Sequence, residues 1–490
     1  MPCLNVLEAR PTHRFSLGPI LSNEGTIQGT YEVLETIFKD QLHCKTEDFG
    51  NRLWLVYGDQ KTVSNIRSVI NQRREASHGF ERHRWVLPLS AFFHLRQTYL
   101  WMMQATHFGG ENQNSPSTLY HNMNFWNRHH IPAVKGPFHH VEELVMHSFE
   151  ARIVAMFYTV LQNADISIDS AETIEEYLKT VTTQRYLELI EEVYRIAFSK
   201  EVQQPAIKKN DEYEDEEFSN HIRYLQHAET YAVLKYAIKH GDVGLIERAI
   251  DRCCIYFHGS KQHKYAHEML LYKRLLATNA ATPELKRAIL ANGLVNTRGK
   301  KDSFVAIDLI NEQLNLTLKQ ILWARRTSTF GIDKLFGRTA LTASYCGSLK
   351  ECLEAEFGEY TNAEHTSKTL STDVRNLAYE MAKGSIKRQS NGRTVTFKAP
   401  HLVVLGSQRL IAKSLAEFNQ RVVYVANQLA PTLGGEIEED EAGELPEGSF
   451  PLDLQVSKPI SSYIICYILT TELAGGRIMR VTSEALCGVG

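Results

Sequence analysis

The sequence predicts a predominantly α-helical protein with a small, incomplete α/β core and a large all-α insertion. Three observations lead to this fold class. Residues 53–57 form a short apolar run without alternation, which is typical of a strand covered on both faces. From about Tyr99 to Asn292, apolar residues recur at helical spacing. A further amphipathic helix, FVAIDLINEQLNLTLKQILW, follows this block and carries acidic residues on one face.

The predicted strand ends at Gly58 and Asp59, and the apolar residues Val63, Ile66 and Ile70 then recur at helical spacing. We therefore predict a central strand, a tight turn and a helix. The stretch WVLPLSAFFHLRQTYLWMM begins as a second strand candidate and continues as a helix. Two interpretations of Asp59 remain open. A carboxylate just past a buried strand lies where open α/β sheets place their ligands, but the same residue can cap the next helix, for about 1 kcal/mol.

The predicted all-α insertion spans residues 101–295, between a core part at 51–100 and a helix that returns to the core within 296–393. Residues 1–50 form an irregular N-terminal segment. Within the insertion we predict an acidic loop at 208–217, because six of the seven residues from Asp211 to Glu217 are acidic and such runs usually stay solvated. Residues 394–490 are predicted to be a weakly ordered tail, since Gly434 to Pro451 is acidic and rich in turn residues.

The helix after the insertion has two distinct faces. Its apolar face contains Ile307, Ile310, Leu314, Leu318 and Ile321, and its polar face contains Asp308, Glu312, Asn315 and Lys319. Asp308 and Glu312 lie four residues apart without Lys or Arg three or four positions away, which costs an isolated helix roughly 0.2 to 0.5 kcal/mol. Because this cost is small, either the face is solvated or one carboxylate points into a site where a cation supplies the missing charge.

Composition and motifs restrict the function. The chain has 490 residues, 43% of them hydrophobic, and a net charge of -3, so nucleic-acid binding would need a local basic patch. One such patch runs from Lys61 to Arg84, although an ordinary solvated helix face explains it equally well. Eight cysteines without a C-x-x-C pair, no signal sequence and no run of eighteen apolar residues predict an intracellular protein that does not span a membrane.

Common catalytic motifs are missing. The chain lacks a P-loop, a G-x-G-x-x-G fingerprint and a G-x-S-x-G elbow. His263 and His267 have the spacing of a zinc pair, but Lys264 stands where the H-E-x-x-H pattern needs glutamate. The sequence therefore gives no motif support for an ATPase, a nicotinamide enzyme, an α/β-hydrolase or a zinc protease.

Four stretches occur in an order that resembles an uncharacterised fungal family, common in mushroom genomes and known only as a domain of unknown function. They are GTIQGTYEVLETIF…LVYGDQKTVSNIRSV, WVLPLSAFFHLRQTYLWMM, GDVGLIERAIDRCCIYFHGSKQHKYAHEMLLYKRLL and FVAIDLINEQLNLTLKQIL. The family's hallmarks are G-D-Q-x-T, a later Arg, a Lys-Tyr segment and D-L-x-x-E-x-L-N. The corresponding residues are Gly58, Asp59, Gln60, Thr62, Arg67, Lys264, Tyr265, Asp308, Leu309, Glu312, Leu314 and Asn315. The resemblance covers roughly Gly29 to Gly347.

That family is similar in layout to transposon-encoded transposases whose RNase H-like core carries a long all-α insertion, such as the hAT and the Kyakuja, Dileera and Zisupton groups. The resemblance implies Mg²⁺-dependent in-line attack on a phosphodiester of DNA by water or a 3′-OH, in the nucleus. Asp59 would match the second catalytic aspartate and Glu312 the glutamate after the insertion, and both would bind Mg²⁺. The other implied site residues are Arg67 and Arg73 for phosphate, and Gln60, Asp308 and Asn315 around the metal ligands.

The layout also implies a first catalytic aspartate upstream of Asp59. The 58 preceding residues show no strand-Asp-strand signal, and Asp40 and Asp48 lie in polar, loop-like contexts. We therefore expect a truncated remnant whose catalytic activity is in question. The alternative function, from another class, is a non-catalytic helical interaction or scaffold protein with its acidic loops as partner surface.

Overall fold

The computed structural model describes residues 4–199, 215–277, 281–324 and 371–412, with gaps at 16, 19, 21, 46–48, 50–51, 78, 111–114, 168–170 and 390–391, together with 464–465 and 468–469. Helices dominate these residues, and the strands form one parallel pair and one short antiparallel pair. The predicted fold class, predominantly α with a small α/β part, is confirmed.

The elements follow one another in chain order. The first part contains α1 (Ile27–Glu35), a π-helical turn (Thr36–Gln41), β1 (Trp54–Gly58), α2 (Gln60–Gln72), β2 (Val86–Ser90) and α3 (Phe92–His107). The helical block contains α4 (Leu119–Phe125), α5 (Phe138–Asn163), α6 (Ala171–Thr180), α7 (Thr183–Phe198), α8 (Glu216–His240), α9 (Val243–Gly259), α10 (His263–Ala277) and α11 (Pro283–Asn292). After it come β3 (Leu294–Val295), β4 (Val305–Ala306), α12 (Ile307–Ala324), α13 (Ser371–Ala382) and α14 (Leu402–Ala412).

The α/β part is a single β-α-β unit. β1 and β2 pair in parallel, with Trp54 opposite Val86 and Gly58 opposite Ser90, and α2 connects them. β1 was predicted to be a central strand, but among the described residues it pairs with β2 only. Because parallel strands point the same way, Gly58 and Ser90 end at one side of the pair, where α2 and α3 begin. We call this side the carboxyl edge.

An aromatic cluster supports the β-α-β unit from the side of the N-terminal segment. The π-helical turn places Phe38 against Trp54 of β1 and against Trp85, which directly precedes β2, with ring centroids 5.0 and 4.5 Å apart. Phe49 and Phe80 complete the cluster, and both are buried. Such edge-to-face aromatic pairs stabilise by about 0.5–1.5 kcal/mol beyond their buried area.

The helical body is built around α5. This helix contacts α3, α4, α7, α8 and α13, and most of its residues are buried. By length and composition α5 could cross a membrane, yet 78% of its most apolar window is buried inside the protein, as in the core helix of a globular domain. The prediction from the sequence counted only uninterrupted apolar runs, so it did not single out this helix.

The predicted acidic loop is not solvated at residues 215–217. Asp215 belongs to the predicted acidic loop, but it is 4% exposed, caps α8 through the backbone N–H of Phe218, and pairs with Arg393 at 2.7 Å. Glu216 pairs with Lys398 at 3.0 Å. The acids at 215–217 therefore hold a distant segment instead of staying solvated, while residues 208–214 lie outside the described part.

The predicted weakly ordered tail begins with a packed helix. α14 lies against α9, and a Cβ added at Gly406 would lie 2.3 Å from the carbonyl oxygen of Ile255. A Cβ added at Gly259 would lie equally close to the carbonyl oxygen of Leu402. Only glycine permits this approach of the two backbones. The acidic stretch at 434–451 lies outside the described residues.

Candidate functional site

Asp59 lies at the carboxyl edge, directly after β1, and caps α2. Its Oδ1 accepts a hydrogen bond from the backbone N–H of Thr62 at 2.7 Å. The residue is half-buried. The capping interpretation of Asp59 is therefore correct, and the position at the end of a parallel strand, where α/β sheets place their ligands, holds at the same time.

Asp308 caps a different helix from a distance. α3 begins after Ala91, which has no side chain able to cap it. Asp308, in the first turn of α12, accepts hydrogen bonds from the backbone N–H groups of Phe93 and His94, both at 3.0 Å. Its exposed fraction is 7%, so the solvated-face interpretation is wrong for Asp308. A carboxylate here is also favoured by the positive end of the α3 dipole.

His94 connects the carboxylates. Its Nδ1 lies 3.0 Å from Oδ2 of Asp308, and its Nε2 lies 3.8 Å from Oε1 of Glu312. The hydrogen bond to Asp308 raises the pKa of His94, and the charges of Asp308, Asp59 and Glu312 raise it further against the opposing effect of burial. All three carboxylates thus lie near one imidazole. We call Asp59, His94, Asp308 and Glu312 the carboxyl-edge cluster.

Tyr265 on α10 fixes the start of α2. Its hydroxyl lies close to the backbone of Gln60 and to the side chain of Thr98 on α3. Burial raises the pKa of Tyr265 to about 12, and the charges of Asp59 and Asp308 contribute in the same direction. This tyrosine, part of the Lys-Tyr hallmark, therefore ties three helices together beside the cluster. Gln60 takes part through its backbone.

The two arginines expected to bind phosphate lie elsewhere. Arg67 forms a two-pronged ion pair with Glu268 of α10, at 2.6 and 2.8 Å, and the Glu268 side chain is 1% exposed. Arg73 ends α2 and lies over the ring of Tyr31, 4.3 Å from its centroid. A helix of this length extends about 20 Å, so Arg73 is at the far end from Asp59. Arg73 therefore does not lie at the carboxyl edge, and Arg67 is already paired with Glu268.

The faces of α12 differ from the predicted ones. Asp308 is buried against α3, whereas Leu314, assigned to the apolar face, is 38% exposed. The side chain of Glu312 is 47% exposed, and Asn315 is exposed three residues further along. The capping contacts of Asp308 decide this orientation, since they turn the acidic face towards α3. The side chains of Leu318, Lys319 and Ile321 lie outside the described residues.

Comparison with protein families adds one finding. A model described as a family of unknown function (DUF6589) matches residues 1–365. The chain belongs to this family. Its match includes the whole carboxyl-edge cluster, Tyr265, Arg67 and Glu268. Among curated proteins and among solved structures, the comparison finds no match to the chain.

The carboxyl-edge cluster offers only two carboxylates for binding Mg²⁺. Both oxygens of Asp308 already accept N–H groups, which leaves Asp59 and Glu312 as the carboxylates able to bind a cation. Among the described residues, no group of three or more His, Cys, Asp or Glu side chains is arranged to hold a metal. Mg²⁺ is commonly held by one or two carboxylates together with substrate phosphates, and that is the set which these residues fit.

A small cavity lies behind the edge, between β2 and α10. It has a volume of about 20 Å³ and is lined by Arg67, Ser90, Glu268 and Tyr272, among others. The Ser90 hydroxyl and the Tyr272 hydroxyl are buried and have no hydrogen-bond partner among the described residues. A cavity of this size accommodates about one water molecule, so it suits a bridging water and not a substrate.

Sequence reasoning missed the roles of His94 and Glu268. Their partners, Asp308 and Arg67, lie 214 and 201 residues away along the chain, so no local pattern connects them. One signal was present for His94. The start of α3 offers Ala91 where Ser, Thr, Asp or Asn is usual, which indicates that the capping group comes from another segment.

Proposed function

We propose that this protein processes DNA at the carboxyl edge, by metal-dependent cleavage or transfer of a phosphodiester. The observation that carries the proposal is that Asp59 and Glu312, more than 250 residues apart in the chain, both lie near His94. A helical body needs no such meeting of carboxylates for its stability. Carboxylates beside a parallel strand end are, however, a common way to hold Mg²⁺ next to phosphate groups.

Each member of the cluster has a distinct role in this proposal. Asp59 is held in place by the cap on α2, and Glu312 lies on α12, whose first turn is fixed to α3 by the hydrogen bonds of Asp308. His94 carries positive charge between the carboxylates when it is protonated, which reduces their repulsion. Mg²⁺, when bound, would stabilise negative charge on the attacking and leaving oxygens. Glu312 is about half-exposed, so a duplex could reach it without a large rearrangement.

The proposal extends to the origin of the protein. The G-D-Q-x-T and D-L-x-x-E-x-L-N motifs supply Asp59, Asp308 and Glu312, the three carboxylates of the cluster. The order of the motifs around a long helical insertion supports an RNase H-like protein derived from a fungal transposon. Such a protein would act in the nucleus.

The test is nicking of supercoiled DNA by the full chain with Mg²⁺ or Mn²⁺. We expect Asp59→Asn and Glu312→Gln each to lower the metal-dependent rate roughly 100-fold or more. Asparagine caps a helix about as well as aspartate, so Asp59→Asn removes the charge and keeps the fold. The control is Asp165→Asn, the same change at an exposed aspartate just after α5, which should nick at the wild-type rate.

The outcome separates two functions. If wild type does not nick DNA with either metal, or if the variants nick equally fast, the enzyme proposal is wrong. The rival is a non-catalytic interaction protein, favoured by one observation. Asp59 and Asp308 already act as helix caps, and such roles need no ligand.

A further inference from the structure

We propose that Lys61 and Lys264 are the residues at the carboxyl edge that bind the sugar-phosphate backbone of DNA. This inference rests on the proposed function, because it names the groups that would hold the same substrate. It moves the phosphate contacts from Arg67 and Arg73 to two lysines on helices that meet beside Asp59.

The position of the two lysines follows from the Tyr265 contact. The Tyr265 hydroxyl lies close to the backbone of Gln60, and α10 packs against α2, so the start of α10 lies beside the start of α2 and Asp59. Lys264 directly precedes Tyr265, and Lys61 directly follows Gln60. Both lysines are exposed. Two flexible cationic side chains are thus direct sequence neighbours of Gln60 and Tyr265, which lie close to each other beside Asp59.

Neither lysine is used for structure. Lys61 and Lys264 form no ion pair with any residue in the described part of the chain. Arg67, by contrast, is held by the buried Glu268, and Arg73 lies over Tyr31. Binding phosphate through either arginine would therefore break an existing contact, whereas the lysines are available.

The two lysines also lie where a cation does not help the helix. Both occupy the second position of their helices, α2 and α10, near the positive end of the helix dipole. A cation there lowers stability, typically by 0.3–1 kcal/mol; the first turn of α10 contains no acidic residue, and α2 has only its capping Asp59. A stabilising role does not explain the pair, but attraction of an anion does.

The charge pattern suits a phosphodiester and not a small free anion. The carboxylates of Asp59 and Glu312 would repel the DNA backbone. Cations on the rim counter this repulsion and fix the register of the strand without reading its bases. Lysines that contact phosphates release counterions, so their contribution has a measurable salt dependence.

The experiment measures duplex DNA binding by fluorescence anisotropy in EDTA, between 50 and 200 mM salt, with the full chain. The variant is Lys61→Gln with Lys264→Gln. The matched control carries the same two changes at Lys179 and Lys301, exposed lysines on α6 and between β3 and β4. For the double variant at Lys61 and Lys264, which we call the rim variant, we expect the slope of the log binding constant against log salt concentration to become less negative by about 1.8. This corresponds to about 0.9 for each lost phosphate contact. The control should retain the wild-type slope.

The result is independent of cleavage, because no metal is present. A rim variant whose slope equals that of the control overturns the inference, even if the enzyme nicks DNA. A flattened slope together with absent nicking supports the lysine rim and overturns the metal-dependent reaction. Circular dichroism of both variants, expected to match wild type, excludes unfolding as the cause of lost binding.

Discussion

The helical body and the carboxyl edge balance their carboxylates in different ways. In the body, Glu229 of α8 is 1% exposed and has its own partner, Arg252 of α9, at 3.0 Å. Asp215 likewise pairs with Arg393. At the edge, Asp308 and Glu312 lie 3.0 and 3.8 Å from His94, on which the charge of Asp59 also acts, and among the described residues no lysine or arginine pairs with these carboxylates.

The difference shows which charges serve the fold and which can serve a ligand. A buried carboxylate is costly unless a partner neutralises it, and in the body Glu229 and Asp215 each have an arginine as that partner. At the edge, Asp308 is buried, but Asp59 is half-buried and Glu312 about half-exposed, and their neighbour is a histidine, whose charge depends on pH. This cluster is where we propose that a cation binds. The four predictions that follow test this contrast, beginning with the largest expected effect.

Removing a carboxylate from the body should cost far more stability than removing one from the edge. Glu229→Gln leaves the Arg252 guanidinium buried without its counter-charge, so we expect the free energy of unfolding to fall by about 3–5 kcal/mol. Urea unfolding measured by circular dichroism gives this value. Glu312→Gln at the edge is the matched control, with an expected change within about 0.5 kcal/mol. Equal losses in the two variants would show that the edge is also a structural ion-pair network.

Within the edge, Asp308 should matter more for stability than Asp59. Asp308→Ala removes two capping hydrogen bonds to α3 and the bond to His94, and we expect a loss of about 1–2 kcal/mol. Asp59→Ala removes one cap bond, for about 1 kcal/mol or less. Urea unfolding of the two variants provides the comparison. NMR titration of His94 adds a second measurement, because its pKa should fall when Asp308 is removed. An unchanged pKa would mean that Asp308 does not orient this imidazole.

The contrast also explains what the sequence could predict. β1, the turn at Gly58 and α2 follow from residues close in the chain, and local periodicity and capping preferences describe them well. The position of Asp59 follows for the same reason. The orientation of α12 about its axis cannot be predicted in this way. It is set by hydrogen bonds that Asp308 accepts from residues 215 and 214 positions earlier in the chain. Amphipathic patterning placed Asp308 on the polar face of α12 but left open whether it is solvated or points into a site, since a lone helix shows no partner for it.

The same limit applies to the charged segments. Arg67 was a phosphate candidate because its segment is basic, and Asp215 was assigned to a solvated loop because its segment is acidic. Each is instead paired with a residue of opposite charge, 201 and 178 positions away respectively. Local net charge predicts neither pairing, since Coulomb attraction depends on distance in space and not along the chain.

The histidines of the two regions should give stability opposite pH dependences. The hydrogen bond to Asp308 raises the pKa of His94, so its contribution is present below the unfolded pKa, about 6.5, and is lost as pH rises through the folded pKa. Burial on α5 lowers the pKa of His147 to about 4, so its contribution is present above about pH 6.5 and is lost as pH falls. That loss is at most about 1.4 kcal/mol per pH unit.

Urea unfolding from pH 5 to pH 8.5 tests this contrast with His94→Gln and His147→Gln. Compared with wild type, His94→Gln should flatten the stability profile above about pH 6.5, and His147→Gln should flatten it below that pH. The two variants serve as controls for each other because the substitution is identical. If both flatten the same side, His94 is not held by its carboxylates.

The smallest expected effect is stabilisation by a metal, and it tests the edge most directly. If Asp59 and Glu312 bind a divalent cation, Mn²⁺ at a concentration equal to its Kd should raise the free energy of unfolding by about 0.4 kcal/mol. Glu312→Gln removes one of the two available carboxylates and should abolish this increase without changing the stability in EDTA by more than about 0.5 kcal/mol. Glu216→Gln, an acid paired with Lys398, should respond to Mn²⁺ as wild type does. The charge of Glu216 is already neutralised by Lys398, so Glu216 is not expected to bind the metal. If the Glu312→Gln variant gained as much stability from Mn²⁺ as wild type, the metal would bind away from the carboxyl edge.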